Sequence, residues 1–239
     1  MHYLILILLA PLFILQAKRV KKNTPRLPEA AGERVGLTGN GEGLSVLIFG
    51  DSAAAGVGVA SQSQALSGVV AEALAKQYLV SWQLWAKSGY NTARALTMLQ
   101  KELDSKPTLR LDAAVVSLGV NDVLSPLSAK TWLKQQQALV ELMSTDAQCK
   151  TLVLTRVPPM GLFPVLPQPL RWFLGKRSQE FNRQLERYVK TEPRCILLEF
   201  GQQLDGSAMA SDGFHPGPLI YQDWGQTAAK VILQHRATS

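Results

Sequence analysis

The chain has 239 residues, 46% of them hydrophobic and 18% charged, with a formal net charge of +7. This excludes a disordered or fibrous chain and supplies enough apolar material for one cored domain. Cys149 and Cys195 are too few for a disulfide scaffold, and there is no zinc-ligand spacing, phosphate-cradling P-loop or internal repeat, so no metal or organic cofactor is implied.

In chain order, residues 1–17 come first, an apolar leader "MHYLILILLAPLFILQA" with Pro11 inside it, and "KRVKK" follows at once. A secretory signal carries its positive charges before the apolar run; here the order is reversed, which places the following domain on the cytoplasmic side of a membrane. A periplasmic or exported domain is the alternative. The run is shorter than the ~20 residues of a comfortable span, so it is expected to be a membrane anchor or an interfacial segment. Lys18, Arg19, Lys21, Lys22 and Arg26 are clustered beside it. That grouping points to a membrane surface and not to nucleic acid, whose footprint is spread over a folded domain. Residues 18–43, basic and rich in Pro and Gly, read as a linker, leaving 44–239 as the domain.

Within that domain, Leu44–Phe49 is a continuous apolar run, the mark of a strand buried on both faces. Gln62–Tyr78 carries Leu66, Val69, Val70, Ala73 and Leu74 at helical spacing. Strands follow at Val80–Ala86, Leu111–Leu118, Thr151–Val157 and Cys195–Phe200, and helices at Thr92–Leu103, Leu127–Thr145, Lys176–Lys190 and Leu219–His235. Pro158 to Phe173 is long, apolar and irregular, and segments of that kind commonly line a site. Alternating strands and helices predict an α/β fold: a flavodoxin-like, doubly wound, five-stranded parallel sheet in three α/β/α layers. Cys149 and Cys195 should then lie at the amino ends of neighbouring strands as free, non-catalytic thiols.

In such sheets ligands bind beyond the carboxyl ends of the strands. The chemically able residues cluster after strands. Ser52 follows the first in "VLIFGDSAAAG", Gly89 the second in "AKSGYNT", Asn121 the third in "SLGVND", and Asp212 and His215 the fifth in "SDGFHP". Each is weak alone: Ser52 could be a helix cap, and Asn121 a turn residue. Of the other two histidines, His2 is in the leader and His235 near the C-terminus. Asp212, three residues before His215, can hold its imidazole in one tautomer. Asp51 is expected to make a structural hydrogen bond, and Asp122 to stabilise its own turn. Arg171, Lys176 and Arg177 read as a solvated helix start, and Trp172 and Phe173 as core.

Taken together, Gly50-Asp51-Ser52 with Gly56, then Gly89, then Gly119-Val120-Asn121-Asp122, then Asp212-Gly213-Phe214-His215-Pro216 resemble the four ordered blocks of the SGNH hydrolases, the GDSL esterase/lipase superfamily. The Leu of the GDSL block is Ala53 here, a packing position. The resemblance implies Ser52 as nucleophile, His215 as base and Asp212 as its orienter. The Ser52 and Gly89 N–H groups and the Asn121 amide would form the oxyanion hole. It implies a serine hydrolase of carboxylic esters, esterase- or lipase-like or a thioesterase, working through an acyl-enzyme on a small-molecule or lipid acyl ester. An acyltransferase of the same fold is the nearest alternative. A non-catalytic flavodoxin-like binding module is further off, because "GDSAAAGVG" is poor in hydroxyls for cradling phosphate.

Overall fold

The computed structural model describes the backbone of residues 2–199 and 206–238 and the side chains of 9–199 and 207–237. Its elements in chain order are α1 (His2–Asn23), β1 (Val35–Thr38), β2 (Gly43–Gly50), α2 (Leu66–Leu74), β3 (Leu79–Ala86), α3 (Thr92–Ser105), β4 (Ala113–Ser117), α4 (Val120–Val123), α5 (Ala129–Thr145), β5 (Thr151–Thr155), α6 (Leu170–Val189), β6 (Cys195–Leu198) and α7 (Pro218–Thr238). The sheet order is β1-β3-β2-β4-β5-β6. From β3 to β6 all neighbours are parallel, in the doubly wound order with its switch point beside β2.

Alternation along the strands divides the core. Leu44, Val46 and Ile48 of β2, with Val115 and Val153 of its neighbours, face α2 and α7 and meet Leu66, Val70, Tyr221, Trp224 and Ile232. Leu47 and Phe49, with Ala114, Val116, Leu152 and Leu154, face the other way and meet Leu99, Trp132, Leu139, Met143 and Phe181 of α3, α5 and α6. Successive side chains leave a strand on opposite faces, so an unbroken apolar run requires a helix layer on each side. The result is the expected three-layer α/β/α fold.

The sheet has six strands where five were expected. β1 lies within residues 18–43, the stretch read as a linker, and pairs antiparallel with β3, Val35 opposite Gln83 and Thr38 opposite Val80. The segment leading into it is folded as well: Glu29 accepts from Arg34 Nη1 at 3.0 Å and from the Ser88 N–H at 2.8 Å. β1 is held by main-chain pairing while Val35 and Leu37 stay 57% and 68% exposed, so it carries no burial pattern for a sequence reading to detect.

Two helices depart from their expected limits. α6 starts at Leu170, six residues before Lys176, because Gln168 accepts from the Trp172 N–H at 3.1 Å and so satisfies a first-turn donor. The Gln62–Tyr78 helix is instead a short 3-10 turn at Gln62–Gln64 followed by α2. α1 runs unbroken through Pro11 and "KRVKK", and Phe13 is buried against the domain, stacked on Phe173 at 4.8 Å. β6 ends at Leu198, and Phe200 of the expected fifth strand lies outside the described residues. Cys149 and Cys195 are buried free thiols, and Cys195 pairs with Leu152 at the start of β5, three residues past Cys149.

Candidate active site

The turn after β2 presents Ser52. Asp51, and not Ser52, makes the capping bond: its Oδ1 accepts from the Ala53 N–H at 3.1 Å. The next turn is closed by main-chain bonds from Ala55 N to Asp51 O at 3.0 Å and from Val57 N to Ser52 O at 3.0 Å. The Ser52 hydroxyl is thereby left for other work, and it lies 2.9 Å from His215 Nε2. On the far side of the ring, His215 Nδ1 is 2.5 Å from Asp212 Oδ2.

Asp212 is set by its own loop. Its Oδ1 accepts from the Phe214 and His215 N–H groups, each at 2.9 Å, so the carboxylate is fixed before it meets the imidazole. Burial raises a carboxyl pKa, but here the bonds from the His215 side chain and from the two amides outweigh it and hold Asp212 below its ordinary value. A lasting anion at that place keeps the His215 proton on Nδ1 and leaves Nε2 to accept from serine.

Asn121, on the first turn of α4, donates from Nδ2 to Tyr90 O at 2.9 Å and lies 3.4 Å from Asp51 Oδ2. One bond ties it to the residue after Gly89, the other to the residue before Ser52. Gly89 is the third residue of a turn closed by Tyr90 N to Lys87 O at 3.2 Å. Its φ of +79° is the type II value that an L side chain resists, and a Cβ there would meet nothing within 4 Å. The glycine is needed for conformation and the space beside it is open. Gly119 is crowded in contrast: its φ is +133° and a Cβ would come within 2.5 Å of Val157.

Asp51 is 2% exposed, and burial pushes its carboxyl up to about 7 against the pull of the Ala53 amide and of His215. Asp122, fully buried, is raised by burial as well, although Thr92 donates to it. Its expected role, stabilising its own turn, is corrected: its carboxylate bonds Thr92 across the crevice. Thr92 and Arg177 were not singled out as site residues by sequence reasoning. Arg177 donates to Val123 O, Ser125 O and Leu127 O at 2.9, 2.8 and 2.7 Å, pinning the chain that leaves α4, so it is no solvated helix start. A lone arginine in a charged helix gives no sequence signal for this. Trp172 is 41% exposed, so it is not core as expected, whereas Phe173 is partly buried.

A crevice of 40 Å³ adjoins Ser52 and His215, walled by Leu118, Pro158, Phe163, Met209 and Phe214. Pro158 and Phe163 thus bring part of the irregular segment to the site. Pro164, Val165 and Pro167 instead line a second cleft with α1 and Ser211–Gly213. Among the described residues, no group of three or more His, Cys, Asp or Glu side chains is placed to hold a metal ion.

A parallel sheet with a Ser, His and Asp hydrogen-bonded in series at its carboxyl edge is the arrangement of a hydrolase that uses a serine. The chain belongs to the GDSL-like lipase/acylhydrolase family, whose model matches residues 48–222. No curated protein sequence matches it. Among solved structures it is similar to Est24, a carbohydrate acetylesterase from Sinorhizobium meliloti, at 20% identity and a TM-score of 0.62, covering 80% of this chain and 99% of that one. It is similar to the aryl esterase of M. smegmatis at 18% identity and a TM-score of 0.61, with 80% and 99% covered. It also resembles the psychrotrophic esterase EstA from Pseudoalteromonas sp. at 19% identity and a TM-score of 0.60, with 82% and 99% covered. At these identities the likeness is one of fold.

Proposed function

We propose that the protein is a serine esterase that removes short acyl groups, of acetyl size, from hydroxyl-bearing compounds. The observation that carries the reading is the hydrogen-bonded series from Ser52 Oγ through His215 to Asp212, 2.9 and 2.5 Å long. His215 Nε2 takes the hydroxyl proton as Ser52 Oγ forms its bond to the acyl carbon. The tetrahedral intermediate collapses by breaking the carbon–oxygen bond to the alcohol, whose oxygen receives the proton from Nε2. Water then repeats the sequence on the acyl-enzyme, and the carboxylic acid leaves. Asp212 stabilises the imidazolium in both halves.

The negative oxygen of the intermediate needs donors fixed in advance. The Ser52 and Gly89 N–H groups and Asn121 Nδ2 would serve. The bond from Asn121 to Tyr90 O supports this, because it uses one amide proton and sets the plane in which the other points.

The size of the acyl group follows from the crevice. One water needs about 10–15 Å³ of such space, so 40 Å³ holds roughly three heavy atoms. Phe163 and Phe214, edge to face at 5.2 Å, close its end. The acetylesterase and aryl esterase among the structural neighbours are in keeping with a short acyl group.

The test is a fluorophosphonate probe followed by peptide mapping, with a series of aryl esters from acetyl to decanoyl. Label on Ser52, and kcat/KM falling steeply beyond propionyl, are expected. Label elsewhere sinks the nucleophile, and preference for decanoyl sinks the short-acyl reading.

A further inference from the structure

α1 has two faces of opposite character. Leu9, Phe13, Gln16 and Val20 recur at intervals of four, three and four residues, which makes one stripe on a helix. That stripe is fastened to the domain. Phe13 stacks on Phe173, Leu9 and Val20 pack against the core, and Gln16 donates to Gln168 O at 2.7 Å while accepting from Leu170 N at 3.2 Å.

The other face meets no partner in the fold. Leu12, Ile14 and Leu15 are 39%, 56% and 65% exposed. One turn on, Lys18, Arg19, Lys21 and Lys22 are exposed too. The first carboxylate in the chain is Glu29, and Arg34 and the Ser88 amide already engage it. Among the described residues, none of the four α1 cations forms an ion pair with a carboxylate. The outward surface is therefore apolar in one part and uncompensated positive charge in the next. Trp172, 41% exposed, adjoins the Phe173 on which α1 rests, and a part-exposed indole suits the level of lipid headgroups.

We propose that this outer face of α1 docks on an anionic lipid bilayer. The helix lies in the plane of the interface, with Leu12, Ile14 and Leu15 in the acyl boundary and the four cations at the level of the phosphates. Two observations favour lying over crossing. The inner stripe is occupied by the protein over the same turns that a span would have to surround with lipid. Among the described residues no helix is long and apolar enough to cross a membrane. The docking orients the molecule, because α1 walls the 530 Å³ cleft that Ser211, Asp212 and Gly213 share. The lipid surface thus comes beside the loop that holds His215. Nucleic acid fits less well, since Leu12, Ile14 and Leu15 have no counterpart on a phosphate backbone.

The test uses the full chain, floated with vesicles of pure phosphatidylcholine or of phosphatidylcholine mixed with phosphatidylglycerol. Flotation with the mixed vesicles only, and release by alkaline carbonate, is expected. The triple variant Lys18→Gln, Lys21→Gln, Lys22→Gln should bind the mixed vesicles about 10²-fold more weakly. The pair Leu12→Ser, Leu15→Ser should also lose binding. An unchanged melting temperature in each shows that the fold is intact, independently of any hydrolysis. Equal flotation with both lipids, none with either, or full binding by the triple variant overturns the proposal. Resistance to carbonate overturns the in-plane placement, and tighter binding to a DNA duplex than to mixed vesicles makes the cationic face a nucleic-acid surface instead.

Discussion

The Asp122 carboxylate accepts both the backbone N–H and the hydroxyl of Thr92, at 3.1 and 2.8 Å, and so joins the turn of Asn121 to the turn of Gly89. The Thr92 oxygen in turn accepts from Trp132 Nε1 at 3.0 Å and Gln136 Nε2 at 3.1 Å. All four groups are buried, and each has its partner.

Thr92→Val keeps the shape and the backbone N–H but strands the indole and the Gln136 amide. The expected loss is about 1–3 kcal/mol, or roughly 2–12 °C in Tm. Asp122→Ala should cost at least as much, since it empties the acceptor of two donors. A melting curve of Thr92→Val that overlays the parent would show that the tie is idle.

Ser52→Ala and His215→Ala should each abolish hydrolysis of aryl acetate, with losses approaching ~10⁶ in kcat, and the double variant should be no worse than either single one. Both residues are partly exposed, so Tm should change little. Residual turnover of a few per cent in Ser52→Ala would exclude it as the nucleophile.

Asn121→Ala should lower kcat by about 10²–10³ while KM moves little, as for a donor used chiefly in the transition state. Asn121→Asp should be no better, because it sets a second carboxylate beside Asp51. A change confined to KM would mean that the amide binds substrate and does not stabilise the oxyanion.

The Asp51 carboxyl, lifted by burial from 3.8 to about 7, is a group whose folded state holds its proton longer than the unfolded chain does. Its stabilising effect is complete below the unfolded value near ~3.9 and is lost as pH rises through about 7. Asp212, Asp112 and Glu29 are depressed, so theirs is present above ~4 and lost as pH falls below it. The windows are separate. Asp51→Asn should flatten the decline in Tm between pH 4 and 7 and leave the acid limb in place. Parallel Tm profiles for variant and parent would contradict this assignment.

Burial pushes the Cys149 and Cys195 thiols each up to about 12, so thiolate is scarce at neutral pH. Neither should react with iodoacetamide in the native protein, and both should in guanidinium chloride. Labelling of either in native buffer would mean that the amino edges of β5 and β6 open readily.

The sequence made the sheet legible wherever burial was two-sided. The runs around Val46, Val115 and Val153 became strands at the expected places. The four site blocks fell at the strand ends because the chemistry uses the carboxyl edge. Ser52, His215 and Asp212 are joined as the motif implied, and Asn121 sits beside them. What escaped was held by main chain. β1 pairs through its peptide groups and exposes its side chains. Gln168, a residue with little helix-start signal, caps α6. The partnership of Asp122 with Thr92 spans thirty residues, and no local pattern couples them. The apolar leader was legible as a membrane element, but the burial of Phe13 against Phe173 was not, because a uniformly apolar run does not mark which stripe meets protein.

The Tyr221 hydroxyl shares its proton between Ala53 O at 2.9 Å and Val57 O at 2.8 Å, so α7 clamps the loop that carries Ser52. Ser52 and His215 are 163 residues apart, and the clamp and the base both come from the closing stretch of the chain. During synthesis the nucleophile emerges early and stays inert. The chain must wait for its final helix to leave the ribosome and dock before the serine can be activated. Contacts of such long range form late, because the loop between them must close first. A ribosome-arrested chain lacking α7 should carry a Ser52 blind to fluorophosphonate, and acquisition of the label would time the completion of the domain.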